Sequence, residues 1–142
     1  MRAGRADPYV APDGSVWFVG RQNIYIARFD PQSGTFTRRQ LKDGAGPHNL
    51  IVSRDGVVWY AGNRAGYIGR HDPKTGAVEK IPMPAGAARD PHTLIFDADE
   101  THIWFTVQWG NIVGWLRLSD RAIDSIPVPI PDAQPYGIIV AP

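Results

Sequence analysis

The chain has no cysteine, which excludes disulfides and thiolate metal sites and makes a reducing cytoplasm the expected location. No apolar run is long enough to span a membrane. The opening Met1-Arg2-Ala3-Gly4-Arg5-Ala6-Asp7-Pro8 carries positive charge with no apolar segment behind it, so it does not read as a secretory leader. Charge of one sign is also lacking: 15 Lys and Arg stand against 14 Asp and Glu, a formal net charge of +1. With neither a basic cluster nor an acidic tail, a nucleic-acid partner is not expected. Nothing in the spacing of apolar residues suggests a helix.

What the 142 residues do contain is aromatic mass and punctuation. Five Trp, five Tyr and five Phe can fill a core, and 15 Gly with 13 Pro are spread along the whole chain, as frequent turns between short strands require. A repeat then emerges. Pro47-His48-Asn49-Leu50-Ile51-Val52 returns as Pro91-His92-Thr93-Leu94-Ile95-Phe96 and as Pro135-Tyr136-Gly137-Ile138-Ile139-Val140. An aromatic pair recurs as Trp17-Phe18, Trp59-Tyr60 and Trp104-Phe105, and ten residues after each Trp stands a small residue: Ala27, Gly69 and Gly114. The turn Asp30-Pro31-Gln32-Ser33-Gly34 recurs as Asp72-Pro73-Lys74-Thr75-Gly76 and decays to Arg117-Leu118-Ser119-Asp120-Arg121.

The second unit predicts four strands: Leu50 to Val52, Val57 to Ala61, Tyr67 to His71 and Val78 to Ile81. They are joined by the turns Arg54-Asp55-Gly56, Asn63-Arg64-Ala65-Gly66 and Asp72 to Gly76. Four short antiparallel strands in roughly 42 to 44 residues is the unit of a β-propeller blade. The fold class expected is therefore all-β, with three four-stranded antiparallel blades starting near 5, 47 and 91. A lead with a partial strand fills 1–12, and the three-blade half-propeller fills 13–142. An open meander or sandwich of twelve strands explains the alternation but not the fixed period with Trp in the same slot.

Propellers close with about four to eight blades, so three leave two apolar faces uncovered and oligomerisation is expected to close the ring. Val140-Ala141-Pro142 duplicates Val10-Ala11-Pro12, and Asp7 and Pro8 fall where unit two has Asn49 and Leu50. Because Pro cannot donate to a ladder, Ile138-Ile139-Val140 is the better inner strand. Residues 135–142 are expected to complete the first blade of a second copy, giving a strand-exchanged homodimer with a six-bladed ring.

Pro47-His48-Asn49, Asp55-Gly56, Trp59-Tyr60-Ala61-Gly62, Tyr67-Ile68-Gly69-Arg70 and Asp72-Pro73-Lys74-Thr75-Gly76 together resemble the blades of the streptogramin lyase family, also called virginiamycin B lyases. The resemblance spans about residues 5 to 142. It implies a propeller with Mg²⁺ at the axial face that linearises a cyclic depsipeptide by eliminating across an ester. It implies His48 and His92 as the pair that meets the substrate, one of them in proton transfer, and Asp90 as a metal ligand. The second carboxylate of the family pattern is replaced here by Val107, with Gly20 and Gly62 in the matching slots of the other units. Elimination needs a base for the Cα proton and positive charge for the developing enolate, so Val107 weakens the metal side of that reading.

A small molecule at the axial face is the expected partner, with Trp109, Gln108 and Tyr136 as ligand-contact candidates. Each site residue also has an ordinary role open to it. Imidazoles after Pro can bond a loop carbonyl, and Asp90 before Pro91 suits a turn. Trp17, Trp59 and Trp104 read as core, Trp109 could cover a blade edge, and His71 and His102 look incidental. A propeller that binds ligands or proteins without catalysis is the alternative function.

Overall fold

A computed structural model describes residues 8–42, 44–86 and 88–141. Its twelve strands are β1 (Tyr9–Val10), β2 (Val16–Gly20), β3 (Tyr25–Asp30), β4 (Thr35–Gln40), β5 (Leu50–Val52), β6 (Val58–Gly62), β7 (Tyr67–His71), β8 (Val78–Pro82), β9 (Leu94–Phe96), β10 (His102–Val107), β11 (Ile112–Arg117) and β12 (Ile123–Pro127). They form three four-stranded antiparallel sheets in sequence order: β1 to β4, β5 to β8 and β9 to β12. No helix among the described residues is long and apolar enough to cross a membrane.

The strands of the second unit match the expected ones to within a residue, and the first sheet carries a short inner strand of its own. Tyr9 pairs with Trp17 and Val10 with Val16, as Ile51 pairs with Trp59 and Val52 with Val58. Pro8 stands where Leu50 adds a third pair, which explains why β1 stops at two residues. Residues 135–141 belong to no strand of this chain.

Two buried clusters coincide with the two junctions between sheets. In the first, Trp17, Val19 and Ile26 of sheet one meet Leu50, Val52, Val58, Tyr60 and Tyr67 of sheet two. In the second, Ile51, Trp59, Ala61 and Ile68 of sheet two meet Leu94, Ile103, Phe105, Val107 and Leu116 of sheet three. The middle sheet thus has a Trp face and a Tyr-plus-aliphatic face, because alternate residues of a strand point to opposite faces. Trp17 and Trp59 are buried as expected, but Trp104 is only half-buried, stacked on Trp115 at 5.2 Å. Its face has no further sheet to meet among the described residues.

The small residue ten after each Trp now has a cause. Gly69 lies directly across from Tyr60 in the ladder, and a Cβ on Gly69 would stand 2.1 Å from the Tyr60 ring. Gly114 is opposed by Phe105 in the same way, at 2.3 Å. In these two sheets the aromatic ring folds across the neighbouring strand into space that glycine leaves open, while in the first sheet Ala27 stands across from Phe18.

Side chains also tie sheet to sheet. Tyr9 Oη donates to the Val52 carbonyl at 3.3 Å, Arg54 Nη2 to the Ala98 carbonyl at 2.6 Å, and Arg121 Nε to Glu79 Oε1 at 3.0 Å. Within each sheet, the turn after the inner strand is fixed by an aspartate. Hydroxyl bonds from Ser15 and Ser53 hold the Asp13 and Asp55 carboxyls below the usual range. At Asp97 burial pushes upward, but bonds from Thr101 and His102 outweigh it and bring the group to about 2.

Two expectations follow. Gly69→Ala should lower stability by about 1–3 kcal/mol through overpacking, and by more than Gly34→Ala, whose Cβ meets nothing within 4 Å although its φ is +68°; equal urea midpoints for the two would contradict the ring-over-glycine account. A carboxyl whose pKa is lower folded than unfolded adds stability above its ordinary value of about 3.9, and that stability is lost as pH falls toward the folded value. Asp97→Asn should therefore flatten the acid limb of stability between about pH 4 and 2, while an unchanged limb in denaturant titrations would rule this out.

Candidate functional site

The loops β4–β5 and β8–β9, the turns β6–β7 and β10–β11, and the segment after β12 all lie at one end of the strands. Proline begins the approach at Pro47, Pro91 and Pro135; with its φ fixed and no donor, it keeps the strand from starting early. Two further backbone bonds then extend each ladder. His48 N donates to Ala61 O at 3.1 Å and Ala61 N to Asn49 O at 2.9 Å, while His92 N donates to Thr106 O at 2.8 Å and Thr106 N to Thr93 O at 3.1 Å. The inner strands β5 and β9 are neighbours, so these extensions bring the side chains at the mouths of successive strands together.

The result is a stack of three rings. His48 and His92 have centroids 3.6 Å apart, Tyr136 stands edge-on to His92 at 4.2 Å, and His48 to Tyr136 is 6.0 Å. His92 is the innermost, 5% exposed, and Tyr136 the outermost at 53%. His92 Nδ1 lies 3.1 Å from Thr93 Oγ1. Tyr136 is held from below, because Thr106 Oγ1 donates to its carbonyl at 2.8 Å.

The structure therefore brings His48, His92 and Tyr136 together, three of the residues singled out by the repeat. Asp90 sits in the loop before β9, where the Asn63 amide reaches the carbonyls of Asp90 and Pro91 at 3.4 and 3.0 Å. Gln108 and Trp109 lie in the β10–β11 turn, and Trp109 is 74% exposed. His71 and His102 are structural. His71 is buried at the junction of sheets one and two, where burial and the charge of Arg39 hold it below the usual range, and His102 bonds Asp97 at 3.2 Å.

Mg²⁺ needs several oxygen donors. Among the described residues no three of His, Cys, Asp or Glu are grouped as a metal would need. Val107 is fully buried in the core between sheets two and three, so no carboxylate stands at the position implied for one. The described residues alone do not form a Mg²⁺ site.

The sequence reading missed the residues that hold this end in shape. The Asn49 side chain accepts from Leu94 N at 2.9 Å, linking sheet two to sheet three. Asn111 donates to the carbonyls of Val128 and Ile130 at 3.3 and 2.9 Å and accepts from Gln134 N at 3.2 Å. The signal available was an Asn in each of the β6–β7 and β10–β11 turns, Asn63 and Asn111, but at different turn positions, so the repeat alone does not align them.

The sequence pattern of the virginiamycin B lyase family matches residues 8–142. No curated protein matches the chain. Among solved structures, virginiamycin B lyase from Staphylococcus aureus is 25% identical, with a TM-score of 0.79 over 91% of this chain and 43% of its own. A catalytically inactive His-to-Ala variant of the S. aureus lyase with quinupristin is 28% identical, with a TM-score of 0.81 over 93% of this chain and 44% of its own. A streptogramin B lyase shares the fold at 22% identity and a TM-score of 0.82, over 92% of this chain and 42% of its own. The chain thus spans less than half the length of these structures.

Thr106→Val removes the hydroxyl beneath Tyr136 while nearly keeping shape. It should cost about 1 kcal/mol and speed amide exchange across residues 130–141; unchanged exchange there would show that this bond does not hold the ring stack.

Proposed function

We propose, on the premise that this chain belongs to the virginiamycin B lyase family, that its axial end binds a small cyclic ester and removes a proton from it. The observation that carries this reading is the His48–His92–Tyr136 stack at the mouths of adjacent inner strands. His48 is the more accessible imidazole, so it is the proton acceptor. His92, buried behind it, holds the His48 ring in place, and Tyr136 offers a phenol and an exposed ring face to the ligand. A histidine-to-alanine change inactivates the S. aureus relative, in line with an imidazole doing this work.

The step is an elimination. His48 takes the proton on the carbon next to a carbonyl, a carbon–carbon double bond forms, and the carbon–oxygen bond on the far side breaks with its electron pair leaving on the carboxylate. The imidazolium then returns its proton to solvent. Nothing is added, so the opened product is an isomer of the ring. The family reading gives Mg²⁺ the enolate charge; no step here depends on it. Buried Val107 favours a second reading, a propeller that binds such a ligand without opening it.

The test is to incubate the whole chain with quinupristin and follow the product by chromatography and mass. An isomeric product that His48→Ala slows by about 100-fold or more, with a melting shift of only a few degrees, is expected. His92→Ala should lower both rate and melting temperature, because that ring is buried. Product formation indifferent to His48→Ala would overturn the assignment, and saturable binding with no product would establish the second reading.

A further inference from the structure

We infer that the groove between sheets one and two, at the end of the strands away from the histidine stack, binds a small apolar carboxylate through Arg28 and Arg39. Both walls of this groove are internal to the chain, and the inference rests on them and not on what the axial end binds. The groove has a volume of about 670 Å³ and is lined by the β1–β2, β5–β6 and β7–β8 turns together with β3 and β4. That is the size of a small-molecule site. Trp17, Ile26 and Val52 give it apolar surface, and His71 stands in the same lining.

The second junction, between sheets two and three, shows what fills this space elsewhere in the repeat. Phe105 opposes Gly114 as Tyr60 opposes Gly69, so Leu116 and His71 hold the same place, each on the face turned to the preceding sheet. Ile68 pairs with Ile81 as Ile26 pairs with Arg39, so Ile81 and Arg39 correspond as well. At the second junction Ile81 and Leu116 both belong to the core. The first junction has a cation and an imidazole in those places. The turn after the third strand differs too. Gly76 N donates to Asp72 O at 2.8 Å as Arg121 N donates to Arg117 O at 2.9 Å, with φ of 75° and 64°. Arg121 lays its guanidinium 5.3 Å from the centre of the Trp59 ring and donates from Nε to Glu79 Oε1 at 3.0 Å, so an arginine and a carboxylate plug the second junction. Gly76 has no side chain to lay over Trp17, and Thr37 stands where Glu79 does. The groove is the space that this plug would occupy.

The charge around that space is positive. Ile26 pairs with Arg39 and Arg28 with Thr37, so Arg28 and Arg39 are diagonal neighbours on the face turned to sheet two, roughly 7–8 Å apart and within reach of one anionic group. Arg28 meets Asp13 at 3.3 Å, with the Asp13 side chain 60% exposed, a pair that holds the guanidinium only weakly. The other acid of the groove, Asp55, is engaged by Ser53 and by Val57 N. Among the described residues Arg39 has no carboxylate at ion-pair distance. Its Nη1 lies 3.9 Å from where a Cβ on Gly76 would stand, so a ligand in the place of the Arg121 side chain meets this guanidinium. The arginine fork takes a planar carboxylate by two parallel bonds, and the apolar lining suits a hydrocarbon body behind it. Inorganic phosphate matches the charge but leaves that lining unused.

The test titrates the whole chain with phenylacetate at fixed pH and ionic strength and follows the ring-proton signals of the four histidines. The His71 signals should shift and saturate while those of His48 and His92 stay in place. Arg39→Gln, at a half-buried position, should weaken binding by about tenfold or more, and Gly76→Arg, which restores the plug, should abolish it. A side chain at that φ strains the turn, so if Gly76→Arg does not fold, Arg39→Gln decides alone. His71 signals that never move, or binding that Arg39→Gln leaves unchanged, would overturn the inference. Sodium phosphate that shifts the His71 signals as strongly as phenylacetate does would also overturn it, since the groove would then be a general cationic patch.

Discussion

The fold depends on sheets packing face to face, and in the second and third sheets on an aromatic ring laid across a glycine of the neighbouring strand. Tyr60 over Gly69 and Phe105 over Gly114 flatten one face of a sheet enough for the Trp face of the preceding sheet to sit on it. Because each sheet has one face of each kind, packing is directional. The directional stack brings successive inner strands side by side about an axis, and only because β5 and β9 are neighbours do the residues just before them meet.

The axial end is a consequence of that packing. His48 and His92 occupy the same place in their units, so ring stacking at 3.6 Å is the repeat seen end-on. Tyr136 extends the series, and Asn49, Thr106 and Asn111 fix the loops that carry it. Burial grades the three rings, which turns identical motif positions into different chemical roles: an accessible imidazole, a buried one and an exposed phenol.

Much of this was legible in the residues. The Pro-His spacing and the Trp slots give the blade count and the strand order, because period and turn chemistry are local. The small residue ten after Trp was visible as a pattern, although its cause is a cross-strand contact that needs the register. The His48–His92–Tyr136 grouping was readable from the repeat. The asparagine clamps were not, because Asn63 and Asn111 act from different turn positions on different loop carbonyls, Asn63 on Asp90 and Pro91 and Asn111 on Val128 and Ile130. Trp104, which read as core, is half-buried among the described residues, because burial in that slot depends on a sheet packed against it.

The central claim is that the stacked rings form one binding site. The chain has four histidines, so their ring-proton signals in an NMR titration with a cyclic depsipeptide ester separate the site from the rest of the fold. If the rings form one site, the His48 and His92 signals shift together and saturate while His71 and His102 stay in place. Saturating ligand that leaves the His48 and His92 signals unmoved, or that moves His71 and His102 instead, would contradict it.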